Sequence, residues 1–91
     1  MYYKYNHKLV LQKLDRKFVG FDPDRSFLYT FNSTAEFVFK KIKLKWDEDR
    51  IVAAMAKIYD APVATIKKDV RAIIKDMVKH KILTPLARSK R

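Results

Sequence analysis

The apolar positions change period once along the chain, near residue 32. Before that point they alternate or run in short blocks, and after it they recur at helical spacing. Residues 8–14, with Leu9-Val10-Leu11-Gln12 at their centre, favour an extended strand that ends at Asp15-Arg16-Lys17. Phe18-Val19-Gly20-Phe21 is a second β-prone run, broken by Asp22-Pro23-Asp24-Arg25. Proline fixes φ there, and aspartate bonds its own backbone neighbours, which is turn chemistry. A third run, Ser26 to Phe31, sets Phe27, Tyr29 and Phe31 on one face and Leu28 and Thr30 on the other. These three runs predict an antiparallel meander.

Asn32-Ser33-Thr34-Ala35-Glu36 opens a helix, with either Asn32 or Ser33 as the cap, and Ser33 with Glu36 fits capping-box spacing. Ala35, Val38, Phe39 and Ile42 form its buried stripe, and Lys40, Lys41 and Lys43 complement the dipole at its end. Asp47 caps a second helix whose apolar residues are Ile51, Val52, Met55, Ile58 and Tyr59. After Asp60-Ala61-Pro62, a third helix runs through about Lys79, with Ile66, Val70, Ile73, Ile74, Met77 and Val78 at a 3.6-residue period. Ile82-Leu83-Thr84 is either a short final strand or a cover for the core, and Pro85 ends it. The pattern predicts an α+β fold: a three-stranded antiparallel sheet followed by three helices, with a winged helix-turn-helix character in the last two. One domain is expected over residues 1–85, with a basic tail over 86–91.

Composition narrows the chemistry. Ninety-one residues suffice for one compact domain. The absence of cysteine excludes disulfides, a thiolate nucleophile and zinc–thiolate or iron–sulfur sites. No apolar run approaches the roughly 20 residues of a membrane span, and the first residues lack the apolar region of a secretory signal. A cytoplasmic protein without a membrane partner is the expectation. Gly20 is the only glycine, so no glycine-rich phosphate loop exists. Neither His7 nor His80 has an obvious acidic partner by spacing, and Asp47, Glu48 and Asp49 are better read as capping and dipole residues than as metal ligands. No enzyme activity, catalytic residue, metal or cofactor is expected.

The net charge of +11 is the strongest compositional feature and reads either as attraction for an anionic partner or as a solvated, lysine-rich surface of the kind that serves solubility and thermal stability. Two binding readings follow. In the first, the third helix with Lys67, Lys68, Arg71, Lys75, Lys79 and Lys81 lies in a DNA major groove. Asp69 and Asp76 interrupt that row, and only Arg71 is able to make a bidentate guanine contact. In the second, the exposed edge of the Ser26–Phe31 strand accepts an added strand from an acidic peptide.

A resemblance supports the second reading. The run Tyr29-Thr30-Phe31-Asn32, the helix start Ser33-Thr34-Ala35-Glu36-Phe37-Val38-Phe39, the closing Ile58-Tyr59-Asp60, the pattern Lys68-Asp69-Val70 with Ile73-Ile74-Lys75-Asp76-Met77-Val78, and Lys81-Ile82-Leu83 stand in the order found in the PqqD family. From Phe18 to Thr84 the chain therefore resembles that family, the peptide chaperones of pyrroloquinoline quinone biosynthesis. The same fold serves as the recognition element that binds leader peptides of ribosomally made, post-translationally modified peptides. Two departures stand out: Phe31 in place of leucine, and Lys81 where glycine often precedes the last apolar pair.

The resemblance implies a leader peptide added antiparallel to Phe27, Leu28, Tyr29 and Thr30, against a helix wall of Lys67, Arg71, Ile74, Lys75 and Val78. Tyr29, Ile74 and Val78 are either core or ligand-facing, whereas Lys67, Arg71 and Lys75 suit acidic leader side chains. It implies delivery of a precursor peptide to a separate modifying enzyme, such as a radical-SAM enzyme, a cyclase or a leader peptidase. The domain itself is expected as a monomer or dimer. A winged-helix DNA-binding protein is the alternative.

Overall fold

The computed structural model describes residues 2–86; Met1 and, Leu86 apart, the expected basic tail lie outside the described residues. Eight elements follow in order: β1 (Tyr3–Tyr5), β2 (Val10–Leu14), β3 (Lys17–Asp22), β4 (Phe27–Phe31), α1 (Ser33–Lys43), α2 (Glu48–Tyr59), α3 (Val63–Lys79) and β5 (Leu83–Pro85). Strands β2, β3 and β4 form the expected antiparallel meander, with Gly20 opposite both Leu11 and Tyr29. A Cβ at Gly20 would lie 3.2 Å from the Leu11 side chain and 3.4 Å from the Phe31 ring, so the glycine admits both neighbours over the strand.

A second sheet joins the two ends of the chain: β1 pairs antiparallel with β5, Tyr3 opposite Pro85 and Tyr5 opposite Leu83. The sequence pattern offers no strand at Tyr3–Tyr5, because three residues are too few to show an alternation. Pairing resolves the alternatives for Ile82–Thr84, which contribute both a strand and, through the buried Ile82 and Leu83, a cover for the core.

The core lies between the inner face of the meander and the three helices. Phe18, Phe31 and Phe39 meet at its centre, with ring centroids 5.0–6.2 Å apart. The four expected residues of α1 (Ala35, Val38, Phe39 and Ile42) are all buried. In α2 the stripe stops early: Ile51, Val52 and Met55 are buried, but Ile58 is 62% and Tyr59 50% exposed. Helical spacing continues through these two residues, but the packing partners end one turn sooner. In α3, Ile66, Val70, Ile74 and Met77 are buried, with Ile73 and Val78 half-buried at the margins.

Local signals fix the element ends. Asn32 caps α1 by accepting from the Ala35 amide at 2.8 Å. The capping box does not form, because the Glu36 carboxylate instead bonds Lys40 at 2.6 Å and Lys13 at 3.2 Å. Those lysines, Lys40 first, hold the Glu36 carboxyl below the usual carboxylate range. Asp47 caps α2 through the Arg50 amide, as expected. Pro62 occupies the cap position of α3 rather than its first turn. The β3–β4 turn is organised by Asp22, whose buried carboxylate accepts from the Asp24 and Arg25 amides, the Arg25 guanidinium and the Asn6 amide. Burial acts to raise the Asp22 pKa, but the hydrogen bonds from Arg25 and Asp24 outweigh it and hold the group below its ordinary value.

The chain's shortage of glycine leaves a trace at the helix ends. After α3, Ile82 donates to the Met77 carbonyl and Lys81 to the Val78 carbonyl, the paired bonds of a Schellman motif. Lys81 occupies the left-handed position, φ 63°, that glycine normally takes. Left-handed backbone costs an L-residue about 1–2 kcal/mol, partly offset by the lost entropy of a glycine replacement. Lys81→Gly is therefore expected to stabilise the fold by about 0.5–1 kcal/mol, read as a rise of roughly 2–8 °C in thermal midpoint. An unchanged or lower midpoint contradicts this account of the turn.

Candidate functional site

Strand β4 has β3 on one side and no strand on the other among the described residues, so alternate backbone amides and carbonyls along its outer edge are unpaired by any ladder. The pleat turns Tyr29 and Phe31 into the core and leaves Leu28 (55% exposed) and Thr30 on the outer face. Beside this edge runs a groove of about 300 Å³, between β4, the start of α1 and α3. Tyr29 and Thr30 form one side, Asn32 and Ala35 the end, and Ala72, Ile73 and Asp76 the other side.

The groove is spanned at one point. The Tyr29 hydroxyl donates to Asp76 Oδ2 at 2.7 Å, tying β4 to α3. Burial first, then the Asp76 hydrogen bond and charge, push the Tyr29 phenol well above its usual pKa, so it stays a donor at neutral pH. His80 completes the cluster. Its Nδ1 donates to the Asp76 carbonyl at 3.0 Å and lies 3.6 Å from Asp76 Oδ1, and its ring stacks on Phe27 with centroids 5.1 Å apart. His80 thus has an acidic partner four residues earlier, a helical spacing that the sequence displays and that the expectation of an unpartnered histidine overlooked.

The expected site residues divide into two sets. Phe27, Leu28, Tyr29 and Thr30 occupy the open strand as expected, with Tyr29 also part of the core. The helix wall is different from the expected one. Ile74 is buried in the core at 3% exposure, and Val78 packs half-buried against it. Arg71 turns toward α2, where its Nε donates at 2.9 Å to the buried carboxylate of Glu48. Lys67 and Lys75, one turn either side of it, are exposed and are not among the residues that line the groove. The flank beside β4 carries Ala72, Ile73 and Asp76 instead, so the wall is small, apolar and anionic rather than cationic.

Glu48 has a structural part as well. At the start of α2 its charge complements the helix dipole, and burial together with that charge raises the Tyr3 pKa, linking β1 to the same cluster. Among the described residues no group of histidine, cysteine, aspartate or glutamate could hold a metal ion. No helix among them is long and apolar enough to cross a membrane.

Comparisons with known proteins agree on family and fold. Residues 17–83 match the family model described as coenzyme PQQ synthesis protein D (PqqD). No curated protein sequence matches the chain. Two solved structures share the fold. One is a lasso peptide synthetase B1 complexed with the leader peptide: TM-score 0.86 and 12% identity, covering 93% of this chain and 100% of that one. The other is TbiB1 in complex with the TbiA(beta) leader peptide: TM-score 0.82 and 15% identity, covering 93% and 99%. The DNA-binding alternative gains no support from these matches.

Removing the Arg71 guanidinium leaves the Glu48 carboxylate buried without its ion partner. Arg71→Ala is expected to destabilise the domain by roughly 1–3 kcal/mol in urea denaturation, without moving the amide resonances of β4. Unchanged stability, or shifts centred on Phe27–Phe31, would return Arg71 to the groove.

Proposed function

The chain belongs to the PqqD family, and on that premise we propose that it binds the leader segment of a precursor peptide by strand addition to β4. The single observation that carries this reading is a strand edge, unpartnered among the described residues, beside a pre-formed groove, in a fold shared with two solved structures described as leader-peptide complexes. Strand addition needs a row of backbone donors and acceptors for affinity and alternating side-chain contacts for specificity. The free edge of β4 supplies the first. For the second, inward-pointing side chains of the peptide meet Ala72, Ile73 and Asp76, and outward-pointing ones meet Leu28 and Thr30.

This arrangement changes the expected ligand. Arg71 is engaged by Glu48, and the α3 residues that line the groove, Ala72, Ile73 and Asp76, include no cation. The segment in the groove is better matched by apolar side chains, with a hydrogen-bond donor or a cation opposite Asp76. Held in this way, the remainder of the precursor extends free of the domain. The bound complex then serves to present a substrate to a separate modifying enzyme, with the domain contributing binding and no catalytic group.

Peptides selected from a random library against the domain, titrated into the ¹⁵N-labelled protein, test the reading. Binding is expected to perturb amides of Phe27–Phe31 and of the α3 flank around Ala72 and Asp76. Ala72→Arg fills the groove from an exposed position, so it should lower peptide affinity at least tenfold, about 1.4 kcal/mol, with the fold intact. Lys67→Glu should change affinity less than about twofold. Binding that survives Ala72→Arg but is lost in Lys67→Glu would move the site to the opposite flank.

A further inference from the structure

A second cavity, of about 410 Å³, opens at the C-terminal end of α1 and shares no lining residue with the groove at β4. Its lining is mostly apolar, with buried Ile42 at the base and Tyr5 and Leu86 beside it. Tyr5 is held in place edge-on against Phe39, ring centroids 5.8 Å apart. Three lysines surround this floor: Lys4 on β1, Lys43 in the last turn of α1 and Lys45 just beyond it.

The cations of the described residues divide into those that meet a carboxylate and those that do not. Lys8, Lys13, Arg25, Lys40 and Arg71 each have a carboxylate within 3.3 Å. Lys4, Lys43 and Lys45 have none among the described residues. Lys43 instead sits over the Tyr5 ring, its Nζ 5.5 Å from the centroid. Lys45 is fixed by the end of the helix, where its amide donates to the Ile42 carbonyl at 2.8 Å and its φ is 68°. Three like charges gathered around one apolar hollow repel one another, on a chain whose net charge is already +11. A ligand that carries carboxylates around an apolar anchor relieves that repulsion while filling the hollow.

We infer that this cavity docks an acidic segment of a partner protein, one aliphatic or aromatic side chain entering between Tyr5 and Ile42 and flanking aspartates or glutamates meeting the three lysines. Lys4, Tyr5 and His7 also line an adjoining pocket with Lys8, Arg25 and Lys81, so the apolar floor of Tyr5, Ile42 and Leu86 is what favours a peptide anchor over a nucleic-acid strand. Ala35, at the edge of the β4 groove, and Ile42, in this cavity, are seven residues apart and so about 10 Å apart along α1. An occupant of one site leaves the other open. The inference is independent of strand addition, because no residue is common to the two sites.

The test is a titration of the ¹⁵N-labelled full chain with an N-acetylated peptide of alternating glutamate and leucine. Its lysine–leucine counterpart and an oligothymidylate form the other arms. The acidic peptide should give saturable shifts at Tyr5, Ile42, Lys43 and Lys45. Affinity at those amides should fall at least tenfold in Lys43→Glu/Lys45→Glu and be unchanged in Ala72→Arg, which blocks only the other site. Both lysines are exposed, and a thermal melt checks the fold of the double variant; should it unfold, Lys4→Glu carries the same comparison. The inference is overturned if those amides do not saturate, if the double variant binds equally well, if the lysine peptide is bound as tightly, or if oligothymidylate binds the same residues more tightly.

Discussion

The hydrogen bond from Tyr29 to Asp76 joins residues 47 positions apart and fixes β4 against α3. Everything proposed for the open edge depends on that spacing. The alternation of β4 points Tyr29 inward, where its ring meets Phe31 edge-on at 4.8 Å and its hydroxyl reaches across to the helix. Burial keeps the phenol protonated, and a neutral donor facing a carboxylate gives a charge-assisted bond. His80 stacks on Phe27 and bonds the Asp76 carbonyl, and the small Ala72 leaves space along the helix. The groove is therefore held in shape before any ligand arrives, which lowers the ordering entropy that binding must overcome.

Charge is distributed over this frame with a clear division. Lys8, Lys13, Arg25 and Lys40 find carboxylates at Asp24, Glu36, Asp22 and Glu36 respectively, and Arg71 on α3 finds Glu48. Trp46 is held between Lys41 and Arg50, whose charged groups lie 4.8 and 4.0 Å from its ring centroid, so cations also join the end of α1 to α2. Lys4, Lys43 and Lys45, around Tyr5 and Ile42, meet no carboxylate among the described residues. The β4 groove, by contrast, carries the carboxylate of Asp76 on its wall.

Much of the fold was legible from residue pattern. The stripes of α1 and α3, the Asp47 cap and the inward face of β4 follow from periodicity and capping chemistry, which act over a few residues. What escaped was non-local. Strand β1 is recognisable only through its pairing with β5, some 80 residues away. Ile58 and Tyr59 keep helical spacing beyond the point where α3 and the sheet stop covering them. Of the candidate site, the strand residues Phe27 to Thr30 were readable because a meander must end in an edge. The helix wall was not. The apolar stripe of α3 shows which face is buried but not which neighbour lies on either side, and Arg71's partner Glu48 reads in sequence as one acid among three at a helix start.

The central claim is that a peptide completes the sheet at β4, and cross-strand contacts in the bound complex test it most directly. Isotope-filtered nuclear Overhauser spectra of the labelled domain with a selected peptide should show close contacts between the peptide's α-protons and those of β4, together with slowed amide exchange along Phe27–Phe31. Contacts confined to the Lys67, Arg71 and Lys75 flank of α3, with β4 amides exchanging as fast as in the free protein, would contradict it.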